Sequence, residues 1–107
     1  MAYFNQFDAI AAKEIAPGFW CKLIHTGHQT INFLEVEAGS LLPMHQHPHE
    51  QCSFVLEGEF EMTINGETKL LTAHNFAVIP GNIPHGGRAI TRCRLIDVFY
   101  PERDDYK

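Results

Sequence analysis

The stretch Gly39-Ser40-Leu41-Leu42-Pro43-Met44-His45-Gln46-His47-Pro48-His49-Glu50-Gln51, answered later by Pro80-Gly81-Asn82-Ile83-Pro84-His85, decides how this chain is read. Three histidines fall at alternate positions, and a fourth stands directly behind a proline. On an extended segment, side chains at alternate positions share one face, so the imidazoles of His45, His47 and His49 are expected to point the same way. Neutral imidazoles converging on one point make a site for a first-row metal. The competing reading is a solvated, His-rich polar tract. The residues around the cluster choose between them.

Working outward, the turn signals divide the chain into short segments. Pro17-Gly18, Gly27, Gly39, Gly58, Asn65-Gly66 and Pro80-Gly81 separate runs rich in β-branched and aromatic residues. The pattern predicts strands over 19–25, 30–36, 51–57, 60–64, 68–71, 76–79 and 92–100, with a short helix or turn over 8–14. Phe60, Met62 and Ile64 alternate with Glu59, Glu61 and Thr63, the pattern of a half-buried strand. Asn65-Gly66 follows as a hairpin signal, because both central residues of a type I′ turn take positive φ. In 30–36 both faces are mostly apolar, so burial on two sides is expected. Many short strands with regular turns imply an all-β barrel or sandwich.

Composition narrows the class. A chain of 107 residues is read as one domain, 1–107, with one modest core. The net charge is −5, and the eight lysines and arginines form no cluster, which argues against nucleic acid. No apolar run approaches the length of about 20 residues that spans a membrane. The first residues carry neither a basic start nor an apolar stretch, so a cytoplasmic protein is expected. Cys21, Cys52 and Cys93 are odd in number and widely spaced, and read as free thiols.

The spacing of Gly39, His45, His47, Gln51 and Gly58, followed by Pro80 and His85, resembles the two-block pattern of the cupin superfamily. That resemblance implies a double-stranded β-helix, the cupin jelly-roll barrel, with a short N-terminal helix or turn. Gln51 stands where the family usually has glutamate. His74 and Asn82 stand where it usually has glycine, and both residue types tolerate positive φ better than most. The expected metal ligands are His45, His47, Gln51 and His85, around one divalent transition metal ion. Imidazole suits Zn, Fe, Ni and Cu, and oxygen ligands also admit Mn. His49 is left as a spacer or a residue supporting the ligands; His25, His28 and His74 are read as surface or turn residues.

The segment from His45 to Gln51, together with the stretch from Leu95 to Tyr106, is similar to a narrower group, the pectin-degradation cupins. The alternation over 92–100 sets Asp97 among apolar residues, either on a solvated face or lining the barrel as an acid/base group. The narrower resemblance implies that Asp97 is catalytic and that Arg103 binds substrate. It implies metal-dependent conversion of 4,5-unsaturated monouronates to linear keto forms, with a small-molecule sugar acid as the ligand, while the likeness to small cupins in general implies a homodimer. Tyr3, Phe4 and Phe7 offer an apolar start for such an interface. A sugar- or metal-binding cupin without turnover, or a metal-dependent dioxygenase, fits the same fold.

Overall fold

The computed structural model describes residues 2–107. A short 3-10 helix at Phe7–Ala9 precedes ten strands: β1 Lys13–Ala16, β2 Phe19–His25, β3 Thr30–Val36, β4 Leu41–His45, β5 Glu50–Glu57, β6 Phe60–Ile64, β7 Glu67–Leu71, β8 Phe76–Ile79, β9 His85–Ala89 and β10 Cys93–Tyr100. A second 3-10 turn, Asp104–Tyr106, follows. The strands form two antiparallel sheets, one in the order β1-β2-β3-β10-β5-β8 and the other in the order β4-β9-β6-β7. The all-β expectation holds. Among the described residues, no helix is long and apolar enough to cross a membrane.

Alternation decides which face of each strand turns inward. In β3, Asn32, Leu34 and Val36 are buried, while Ile31 and Phe33 are only half-buried and Glu35 is exposed. The expected burial of both faces is therefore only partial. Phe7 packs edge-on against Phe33 at 4.8 Å, which accounts for part of the outer cover. The core joins Phe19, Cys21, Leu34 and Leu95 of the six-stranded sheet to Phe60 and Met62 of the other. The β6–β7 hairpin turns at Asn65 (φ 48°) and Gly66 (φ 82°), as a type I′ turn requires.

Three strands fall outside the expected pattern: β1, β4 and β9. The predicted helix or turn over 8–14 shrinks to Phe7–Ala9, and the chain is already a strand from Lys13. β4 and β9 matter more, because they pair with each other and set His45 opposite His85. The long path between the two sequence blocks closes at that pair.

Candidate metal centre and adjoining cavity

His45 ends β4 and His85 begins β9 in the smaller sheet, while Gln51 lies near the start of β5 in the larger one. His47 sits on neither strand. It belongs to the loop between β4 and β5, so strand alternation does not bring His45 and His47 together. Folding of that loop does. The turn Pro80-Gly81-Asn82 braces it: Asn82 N–H donates to His47 O at 2.7 Å. Gly81 has no side chain because a Cβ there would lie 2.3 Å from Pro48 O. Asn82 takes the positive φ expected of it, 61°, whereas His74 does not need one and sits in an exposed turn.

One ring nitrogen from each of His45, His47 and His85 lies within 4.8 Å of the others. Their Nδ1 atoms face backbone carbonyls: His45 meets Pro43 O at 2.8 Å, His47 meets His49 O at 3.1 Å, and His85 meets Ile83 O at 2.9 Å. A carbonyl oxygen only accepts, so each Nδ1 carries the proton and each Nε2 presents a lone pair. His47 Nε2 and His85 Nε2 then stand 3.1 Å and 3.2 Å from Gln51 Oε1. That oxygen is also an acceptor. Its orientation is set by Gln51 Nε2, which donates to Ser53 Oγ at 3.0 Å, and Ser53 Oγ donates in turn to Asp97 Oδ1 at 2.7 Å.

Lone pairs thus face lone pairs with no hydrogen between them. Such an arrangement repels itself unless a cation sits among the donors. Backbone carbonyls that fix the tautomer of each ring are the usual support of metal-binding histidines. The donor set of three imidazole nitrogens and one amide oxygen fits a divalent transition metal ion. Burial and the nearby Arg103 charge hold His47 down to about 4, and burial lowers His85 as well, so both rings stay neutral near pH 7. His49 contributes its backbone carbonyl to His47 rather than a ring nitrogen to the cluster, which makes it a supporting residue.

His45, Gln51, His85, Asp97 and Arg103 line one cavity, whose free space is about 50 Å³. Asp97 is half-buried, and burial pushes its carboxyl up to about 6 against the opposing pull of Ser53, Gln51 and Arg103. Arg103 is buried although it lies in the tail. Its backbone N–H donates to Thr30 Oγ1 at 2.8 Å, anchoring the tail to β3. Its Nε and Nη2 clamp Asp105 at 2.9 Å and 2.7 Å. The guanidinium lies 4.7 Å from the Phe99 ring and 3.9 Å from the Tyr106 ring. Burial works against its charge, but Asp105 and Tyr106 together more than offset this, and the group stays cationic.

The structure therefore brings together all six residues singled out in the sequence. It adds four that were not: Asn32, Ser53, Phe99 and Tyr106. Phe99 stands two positions after Asp97, so alternation along the strand is the signal that could have found it; the other three carry no local signal.

The cupin domain model matches residues 32–99. The chain is 33% identical over 70 residues, 64% of its length, to the pectin degradation protein KdgF of Dickeya dadantii. It is 40% identical over 55 residues, 50% of its length, to the H2HPP isomerase of Bacillus subtilis. Those matches span 64% and 23% of the two relatives. The solved structure of KdgF from Halomonas sp. superimposes with a TM-score of 0.91 at 28% identity, covering 100% of both chains. The family match runs from β3 to β10 and takes in both histidine blocks, so the chain belongs to the cupin family.

Proposed function

We propose that the protein converts 4,5-unsaturated monouronates to linear keto forms, as a metal-dependent ring-opening isomerase. One observation carries the reading. A cationic Arg103 with an unpaired Nη1 and a carboxyl poised at about 6 share a cavity with the histidine cluster. The similarity to a pectin degradation protein supports the substrate class. The similarity to an isomerase supports a reaction that moves protons without changing composition.

Arg103 holds the uronate carboxylate by a charge-assisted hydrogen bond, of about 1.5–3 kcal/mol. In a chain of net charge −5, a local cation is needed to receive an anion. Asp97 accepts the proton of the anomeric hydroxyl as the ring C–O bond opens and the C1 carbonyl forms. The same group returns a proton to C4, leaving a ketone at C5, so atoms and electrons balance. A carboxyl near 6 is mostly ionised at neutral pH, ready to act as base, and is raised enough to hold and return the proton it gains. A divalent ion, Zn, Ni, Fe or Mn, held by His45, His47, Gln51 and His85, would supply Lewis-acid stabilisation of negative charge on substrate oxygen.

The cavity is far smaller than the ~300 Å³ or more of typical ligand pockets. A sugar ring therefore enters as Tyr106 and the Asp104–Tyr106 turn swing aside. The pairs that tie this turn, Arg103–Asp105, Lys107–Glu102 and Lys107–Asp104, each have a partly or fully exposed partner. The two Lys107 pairs are the more exposed, worth ~0–1 kcal/mol each, and break readily, whereas the bidentate pair of the buried Arg103 with Asp105 is the stronger restraint.

Metal-loaded protein mixed with an unsaturated monouronate is expected to speed the loss of ultraviolet absorbance from the conjugated double bond. No acceleration over buffer sinks the reading, and so does full activity in Asp97→Asn. In this reading the protein works as a homodimer. The outer face of the six-stranded sheet exposes Trp20, Phe54, Leu56, Phe76 and Val78, with Phe54 and Phe76 stacked at 5.7 Å. Light scattering at working concentration tests it; a monomer mass removes it.

A further inference from the structure

Among the described residues, three buried side-chain polar atoms have no hydrogen-bond partner: Asn32 Oδ1, His49 Nδ1 and Arg103 Nη1. Asn32 and Arg103 line the same cavity as the histidine cluster. Unpaired buried polar groups are uncommon, and each calls for a reason. The two cavity groups are also opposite in kind. Arg103 Nη1 only donates, and Asn32 Oδ1 only accepts.

Asn32 is 1% exposed and sits mid-strand in β3, directly opposite Asp97 of β10. Its amide is oriented from behind. Nδ2 donates to Cys21 Sγ at 3.3 Å, while the Cys21 thiol is directed to Phe19 O at 4.0 Å. Burial keeps Cys21 a thiol, so its lone pairs remain available to the amide. With Nδ2 engaged on the core side, Oδ1 is the atom left for the cavity. Its neighbours along the row, Asp97 and Ser53, already satisfy each other.

We infer that Asn32 is a specificity-determining residue: its Oδ1 accepts a hydroxyl proton from a hydroxy acid whose carboxylate meets Arg103 Nη1. A simple carboxylate answers only Arg103, and a neutral sugar answers only Asn32. A sugar acid answers both and leaves neither orphaned. This rests on the proposed reading of the cavity as a sugar-acid site, but it concerns recognition rather than turnover.

The test uses zinc-loaded protein and isothermal titration with three unreactive probes: galacturonate, galactose and cyclohexanecarboxylate. Wild-type protein is expected to bind galacturonate at least tenfold more tightly than either of the others. Asn32→Leu, which keeps the branched outline of the amide though it is bulkier, should bring galacturonate to the level of cyclohexanecarboxylate while leaving the latter's Kd unchanged. An unchanged galacturonate Kd in Asn32→Leu overturns the inference and leaves Asn32 satisfied by water alone. Should that variant fail to fold, the comparison of probes on wild-type protein still decides, since equal binding of galacturonate and cyclohexanecarboxylate also overturns it. Selective galacturonate binding without turnover of the unsaturated uronate supports this inference and sinks only the reaction. Turnover with no selectivity does the reverse, and binding of no acid at all sinks both.

Discussion

The two ends of the larger sheet's inner face differ sharply, though the same strands build both. Toward one end, Phe19 pairs with Val36 and Val36 with Cys93, and the next row runs Cys21, Leu34, Leu95, Val55. Toward the other, the rows run Asn32, Asp97, Ser53 and then Thr30, Phe99, Gln51. Every one of these side chains points inward by the same alternation. The first end is closed by packing alone. The second has inward groups that must be satisfied by one another, by an ion or by a ligand. One strand thus serves stability with its Leu34 and function with its Asn32. A local polar violation of an otherwise consistent apolar face is where a functional site is expected.

The sharpest way to break the comparison is to empty the apolar end. Phe19 is 2% exposed and meets the Phe60 ring edge-on at 6.3 Å. Phe19→Ala should cost ~3–5 kcal/mol, the usual range for a buried aromatic. Urea unfolding of metal-free protein checks it. A loss below ~1 kcal/mol, smaller than any buried phenylalanine of this kind, would mean that the apolar rows do not carry stability as argued.

At the polar end the leading effect is the ion. A ligand that binds only the folded state stabilises it by ~2.7 kcal/mol at a hundredfold excess over its Kd. Thermal unfolding with zinc or nickel, then with a chelator, should show a gain that the chelator reverses and that His85→Ala lacks. Equal shifts in wild type and variant would place metal binding elsewhere. A weaker effect follows from the Ser53 link. Ser53→Ala leaves Gln51 Nε2 without its acceptor, freeing the amide to turn its oxygen away from the rings. Loss of such a support typically weakens metal binding 10- to 100-fold. A competition titration measures it, and an unchanged affinity would show that Gln51 is not held by this relay.

Much of this is legible in the amino-acid sequence, for a physical reason. β2, β3, β6 and β8 run as expected: β6 alternates apolar with polar residues, and the other three are short runs rich in β-branched and aromatic residues between turn signals. β4 contains Pro43, and β9 is His85-Gly86-Gly87-Arg88-Ala89, whose glycines lower strand propensity. β1 is an exposed edge with no buried residue to mark it. Spacing brought His45, His47, Gln51 and His85 into one set, but alternation was the wrong reason for His47, which a loop carries. Asn32 was missed because its role depends on register. Only the pairing of β3 with β10 and of β10 with β5 reveals that Asn32, Asp97 and Ser53 form one row.

The smallest net effect concerns pH, because the polar end contains groups that oppose each other. Asp97 is raised to about 6, chiefly by burial, from ~3.9 in an unfolded chain. The folded state therefore holds that proton more tightly. The stability this lends is full below the unfolded value and is lost as pH rises through about 6. His47 is lowered to about 4, again chiefly by burial, from ~6.5. Its contribution is present above the unfolded value and is lost as pH falls toward about 4. Between pH 4 and 6 the slope from Asp97 opposes those from His47 and from His85, which burial also lowers, so Asp97 offsets part of the stability that metal-free wild-type protein loses on acidification. Asp97→Asn removes that opposing slope while keeping an acceptor oxygen for Ser53. The variant should then lose stability more steeply on acidification, and gain on wild type as pH rises from 4.5 to 7.5. Urea midpoints at those two pH values, read with chelator present, measure the gap. A gap that does not widen with pH would mean that the Asp97 carboxylate is as well solvated as one on the surface, and the polar end would lose its proposed base.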